Sequence, residues 1–283
     1  MKKIIALLLA VIIVFSLSAV PVFAIDAQPE GETKNLLLLG DSIAQGFGVA
    51  NPEQACYGRI VADTNGWNYQ NFARVAYDTG DLIYQLENIY SIRDAVKNAD
   101  IINLCTGSNN YLANKDVVKI AALAIFGLNN KKIDEIADWI FSDYQVIYDM
   151  IREMNPDCTI VMNKIYCAWR GLGHIPFDKA VKKINAQIEK LKALHEEIIL
   201  FDTGSVMTHN PELTAADCVH PNAKGNVELA KAMLKLLNEN GLCEKTEPVI
   251  TVEGIDYDFY SKMFGKFAGG LVGSIVRFFT WNY

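Results

Sequence analysis

Apolar residues fall along this chain in two alternating rhythms. Five runs, Asn35–Leu39, Trp67–Ala73, Asp100–Cys105, Thr159–Ile165 and Glu197–Phe201, are mostly continuous in apolar or β-prone residues. That is the pattern of strands covered on both faces in a parallel sheet. Between them, apolar side chains recur every three or four positions. Phe177, Val181, Ile184, Ile188, Leu191 and Leu194 form one stripe, with lysines and glutamates opposite. Ile136, Ile140, Tyr144, Ile147, Tyr148 and Ile151 form a second, and Val227, Ala230, Met233, Leu234 and Leu237 a third. Each stripe predicts a helix with one face on a core; His195, at the end of the first, is expected as a solvated helix residue. Alternating strand and helix predicts an α/β fold of three α/β/α layers around a doubly wound, five-stranded parallel sheet. In such sheets ligands collect beyond the carboxyl ends of the strands.

The chain ends carry different patterns. Lys2 and Lys3 precede an apolar run from Ile4 to Phe15, followed by SLSAVPVFA. These are the parts of a secretory signal peptide over 1–24, cut after Ala24, which predicts a secreted or cell-envelope protein. The alternative is an uncleaved anchor, because Ile4 to Ala24 is just long enough to span a bilayer. Residues 25–34 read as a polar linker and 35–243 as the domain. In the tail, Tyr260, Met263, Phe264, Phe267, Leu271, Ile275 and Phe278 follow helical spacing, with Lys262, Lys266 and Arg277 making it basic. Residues 255–283 are therefore expected either as an amphipathic segment contacting a membrane surface or lipid-like substrate, or as a helix packed on the domain.

The 283 residues carry a formal charge of −7 and no basic tract, so no nucleic acid partner is expected. Six cysteines (56, 105, 158, 167, 218, 243) make disulfides permissible in an exported chain. There is no C-x-x-C or H-E-x-x-H, and the histidines at 174, 195, 209 and 220 are scattered; no metal site is expected.

Candidate chemistry starts at LLLLGDSIAQGFG, residues 37–49. Ser42 there reads as a helix cap, as part of a phosphate-cradling loop, or as a nucleophile at a strand end. Gly40, Gly46 and Gly48 fit neither G-x-G-x-x-G nor the P-loop spacing, which weakens the second reading. Other strand ends carry NFARVAYDTGDL, TGSNN and DCVHPN, so Ser42, Asn71, Ala76, Asn109, Asp217 and His220 are expected on one sheet edge. A serine needs a histidine to take its proton and an acid to orient that histidine. Asp217, three residues before His220, suits the second task. Backbone N–H groups at Ser42 and Ala76 and the Asn109 amide are candidate oxyanion donors. Tyr77, Asn110, Tyr111, Trp169 and Arg170 follow strand ends and are expected near the substrate. Asp202 is a competing acid read as structural, and His209 is read as a loop histidine.

At these residues the chain resembles the GDSL or SGNH ester hydrolases. GDSIAQG resembles their first block, GSNN their G-x-N-D block and DCVHP their D-x-x-H-P block, over Asn35 to about Gly241. The resemblance implies a serine nucleophile at Ser42, a triad completed by Asp217 and His220, and an oxyanion asparagine at Asn109, with no cofactor. It implies an ester hydrolase acting on acylated glycans, cell-wall components or lipids; the alternative is a non-catalytic glycan- or lipid-binding relative. Two positions depart from the pattern. Ala76 stands where the family has glycine, and Asn110 where it has aspartate.

Overall fold

The computed structural model describes residues 33–117, 120, 131–168 and 174–259. The expectations for residues 1–24, most of 25–34, Trp169, Arg170 and the tail past Phe259 lie outside them. Strand β1 (Asn35–Gly40) leads into short helices α1 (Ser42–Gln45) and α2 (Pro52–Ala55), then α3 (Tyr57–Asn65) and β2 (Asn68–Asn71). Helices α4 (Thr79–Asn88) and α5 (Tyr90–Lys97) precede β3 (Ile101–Cys105) and α6 (Ser108–Leu112). The second half runs α7 (Lys131–Met154), β4 (Thr159–Lys164), α8 (His174–Leu194), β5 (Ile199–Asp202), α9 (Gly204–Met207) and α10 (Ala223–Glu239). The strands form one all-parallel sheet in the order β2-β1-β3-β4-β5. This is the doubly wound arrangement whose order reverses between β1 and β3, where ligands gather.

The continuous apolar runs have a direct cause. Leu37, Leu39, Ile102, Leu104, Ile160 and Met162 point into one layer, against α4, α5, α7 and α8. Leu36, Leu38, Ile101, Val161 and Phe201 point into the other, against α3 and α10. Successive residues of a strand face opposite sides, so a strand covered twice cannot alternate apolar with polar. Each leucine fully buried this way contributes about 1.5–3 kcal/mol. The two edge strands depart from this: β2 is shorter than the apolar pattern predicts and alternates between exposed and half-buried residues, and β5 is fully buried only at Phe201. Leu194, the last residue of its stripe, is exposed; the helix ends there and no layer remains to cover it.

One polar cluster interrupts the core. Tyr57 donates to Asn103 Oδ1 at 2.6 Å, Asn103 donates to Asn163 Oδ1 at 2.6 Å, and Asn163 donates back to the Tyr57 hydroxyl at 3.1 Å. All three side chains are buried. Because each is satisfied by the others, the cluster avoids the penalty of isolated buried polar groups.

Candidate active site

Ser42 is positioned by a close approach of two strands. At Gly40, φ is +126°, and a Cβ there would lie 1.9 Å from the Cys105 carbonyl oxygen. Only glycine lets β1 and β3 end this near each other. The next residue, Asp41, donates its N–H to Cys105 O at 2.8 Å, while its side chain caps α1 by accepting from Ile43 N at 2.9 Å. Its other carboxylate oxygen accepts from Ser108 Oγ at 2.8 Å. Burial pushes the Asp41 carboxyl up; the Ser108 and Ile43 donors and the nearby His220 pull against that shift. Helix α1 thus begins at the cleft with Ser42 in its first position, and it stops after one turn at Gly46, where φ is +84°. The helix-cap role belongs to Asp41, which leaves the Ser42 hydroxyl available.

His220 arrives from the far end of the sheet on a tight turn. One Asp217 oxygen accepts from the N–H groups of Val219 and His220 at 3.0 and 3.1 Å. The other pairs with His220 Nδ1. The Ala215 N–H holds the His220 carbonyl at 2.7 Å, and Asn222 caps α10 just beyond. On its free side, His220 Nε2 stands 2.7 Å from Ser42 Oγ. Gly48 makes this approach possible, since a Cβ there would meet the Pro221 carbonyl oxygen at 1.9 Å. The Phe47 ring meets the imidazole edge-on, centroids 5.0 Å apart, and Phe259 lies nearly parallel to it at 6.2 Å.

The remaining candidates divide between cleft and interior. A cleft of about 300 Å³ is lined, among the described residues, by Ser42, Ala76, Asn109 and His220, with apolar walls from Ile43, Val75, Leu112, Ile165, Phe177 and Val219. Ala76 sits there at φ +66°, in the left-handed region that glycine favours. Its N–H and that of Ser42 donate to no described residue. The Asn109 amide donates to the Tyr77 carbonyl oxygen at 2.8 Å. Asn71 is not brought to the cleft; its amide braces α1 by donating to Ala44 O at 2.8 Å.

Asn110, Tyr111 and Tyr77 do not line the cleft either. Asn110 is buried and exchanges two hydrogen bonds with Thr79, whose hydroxyl donates in turn to Asp143. Tyr111 is buried against Phe177, ring centroids 5.5 Å apart. The helical turn of α6 explains both: residues next to Asn109 on a helix cannot share its outward direction. Tyr77 contributes its backbone carbonyl. Asp202 is exposed and makes no hydrogen bond to His220 among the described residues.

Sequence reasoning missed Ser108, which anchors Asp41, and the β4 end, where Lys164, Tyr166 and Cys167 reach the cleft. The signal for the latter was the strand-end rule itself, applied to KIYCA.

The GDSL-like Lipase/Acylhydrolase family matches residues 38–227, from within β1 to the start of α10. No curated protein matches the sequence. Among solved structures, a lipase from a goat rumen metagenome is 19% identical with a TM-score of 0.59, covering 72% of this chain and 97% of its own. An extracellular lipase from Streptomyces rimosus is 17% identical with a TM-score of 0.55, covering 73% and 99%. A phospholipase A1 from Streptomyces albidoflavus is 16% identical with a TM-score of 0.52, covering 73% and 99%. At such identities the structural likeness carries the fold alone. The family match carries the class: this chain belongs to the GDSL-like lipase/acylhydrolase family and is an ester-bond hydrolase.

Proposed function

We propose that the chain hydrolyses carboxylic esters with a short apolar acyl group, using Ser42 as nucleophile, His220 as general base and Asp217 as the acid that orients it. The carrying observation is the 2.7 Å contact of His220 Nε2 with Ser42 Oγ at an apolar cleft. In this mechanism Ser42 Oγ attacks the ester carbonyl as His220 Nε2 takes its proton. The carbonyl oxygen gathers negative charge opposite the N–H groups of Ser42 and Ala76 and the second amide hydrogen of Asn109, donors aimed before the reaction begins. The imidazolium, held by Asp217, then returns the proton to the departing alcohol. Water repeats the cycle on the acyl-serine and releases the acid.

The cleft also bears on the substrate. At about 300 Å³ it lies at the small end of ligand pockets, which suits an acyl group rather than a whole lipid. Among the described residues its walls between the catalytic groups are largely apolar, from Ile43, Val75, Leu112, Ile165, Phe177 and Val219, which favours an acyl group over a sugar in the same space. A secreted enzyme meeting lipid-like esters through residues 255–283 fits this reading and rests on the sequence pattern of the two chain ends. Among the described residues no helix is long and apolar enough to cross a membrane.

A ladder of nitrophenyl esters from acetyl to palmitoyl, run beside acetylated xylan, tests the proposal. The expected result is highest kcat/KM at acyl groups longer than acetyl and shorter than palmitoyl, abolished in Ser42→Ala. Preference for the xylan, or turnover that survives Ser42→Ala, overturns it.

A further inference from the structure

A second cluster of chemically capable side chains adjoins the cleft through Cys167, and the ester chemistry does not use it. Cys167 follows β4 and is buried. Asp178 lies near the start of α8, and His209 follows α9, with its N–H donating to the Cys167 carbonyl at 3.0 Å. The cysteine sulfur, an Asp178 oxygen and a His209 ring nitrogen all lie within 4.8 Å of one another. His209 Nε2 is 3.3 Å from Asp178 Oδ1, while His174 Nδ1 is 2.6 Å from Asp178 Oδ2.

We propose that Cys167, Asp178 and His209 bind a divalent cation of the zinc class, with His174 positioning Asp178. Sulfur, imidazole nitrogen and carboxylate oxygen together form a donor set suited to zinc, and the thiolate disfavours magnesium and calcium, which take oxygen ligands. Tetrahedral coordination at zinc bond lengths places neighbouring donors roughly 3.3–3.8 Å apart. The His209–Asp178 pair already stands at 3.3 Å, so side-chain rotation of Cys167 closes the set.

Binding displaces the Cys167 thiol proton to solvent as the sulfur becomes a thiolate ligand. Three protein donors leave the fourth position to water. His174, bonded to the second Asp178 oxygen, fixes the carboxylate as outer partners of metal ligands commonly do. The bound cation ties the end of β4 to the start of α8 and to the loop after α9. Because Cys167 and Phe177 line the cleft, it braces the wall against which the acyl group packs and takes no part in the bond cleavage.

Zinc and cobalt(II) titrations of the full chain, prepared without a histidine tag and stripped with chelator, test the site. The expected result is one-to-one binding, a thiolate-to-cobalt charge-transfer band lost in Cys167→Ser, and a melting temperature raised by zinc. His209→Ala and Asp178→Asn each weaken affinity by about tenfold or more, and His174→Gln by less; His195→Ala, remote from the cluster, leaves binding unchanged. Absence of one-to-one binding overturns the site, as does a charge-transfer band that persists in Cys167→Ser. Should Cys167→Ser fail to fold, the half-exposed His209 carries the test: zinc affinity unchanged in His209→Ala overturns the proposal.

Discussion

Asn109 donates one amide hydrogen to the backbone carbonyl of Tyr77, 2.8 Å away. The bond ties the first turn of α6 to the loop after β2 and uses one of the two hydrogens that a primary amide carries, leaving the second without a described partner. Asn109 and Ala76 are thereby held as a pair.

The first prediction follows from that pairing. In the proposed mechanism the free Asn109 hydrogen meets charge that exists only in the transition state, so Asn109→Ala lowers kcat by roughly 10²- to 10³-fold with KM nearly unchanged. Steady-state kinetics on one nitrophenyl ester decides it. A loss carried in KM alone refutes the donor role.

Ala76 gives the second. Its φ of +66° costs a non-glycine residue about 1–3 kcal/mol. Ala76→Gly relieves that strain but loosens the unfolded chain by about 0.4–1 kcal/mol, so activity is kept and stability is equal or slightly higher. Ala76→Val puts a branched side chain in the same backbone region and lowers both. If Ala76→Gly loses activity while its circular dichroism stays native, the backbone N–H is not the donor.

The third separates the two candidate acids. Asp217→Asn preserves the size of the side chain and the acceptor for Val219 and His220 N–H groups, but it no longer favours the correct imidazole tautomer. Its kcat falls by roughly 10⁴-fold, as in other triads. Asp202→Asn leaves kcat unchanged, since Asp202 faces solvent. The reverse pattern reassigns the acid.

The fourth concerns pH. Burial raises the Asp41 carboxyl above its ordinary value. A group raised in the folded state adds stability below its unfolded pKa, and that contribution is lost as pH rises through the folded pKa. Urea unfolding of the native chain and Asp41→Asn is therefore expected to diverge as pH rises above the ordinary carboxylate pKa of about 4, with the native chain losing ground. A difference that stays flat or moves the other way shows that the Ser108 and Ile43 donors outweigh burial.

The sequence by itself determined the repeating parts. Continuous apolar runs follow from a sheet covered on both faces, and the stripes of α7, α8 and α10 follow from the helical repeat; both periods are local properties of the backbone. It also placed Ser42, Asn71, Ala76, Asn109, Asp217 and His220 on one sheet edge, because parallel strands bring all their carboxyl ends together; of these Asn71 turns to brace α1 instead of reaching the cleft. What the tertiary structure decided is how remote segments meet. That β2 lies at the edge with alternating exposure depends on strand order, which no single segment encodes. The inward turn of Asn110 and Tyr111 depends on how α6 sits against Thr79 and Phe177. The left-handed backbone of Ala76 is invisible in its residue type. Cys167, Asp178 and His209 come from three separate segments with no motif spacing, so only the packing of α8 and the loop after α9 against the end of β4 brings their donor atoms within 4.8 Å of one another.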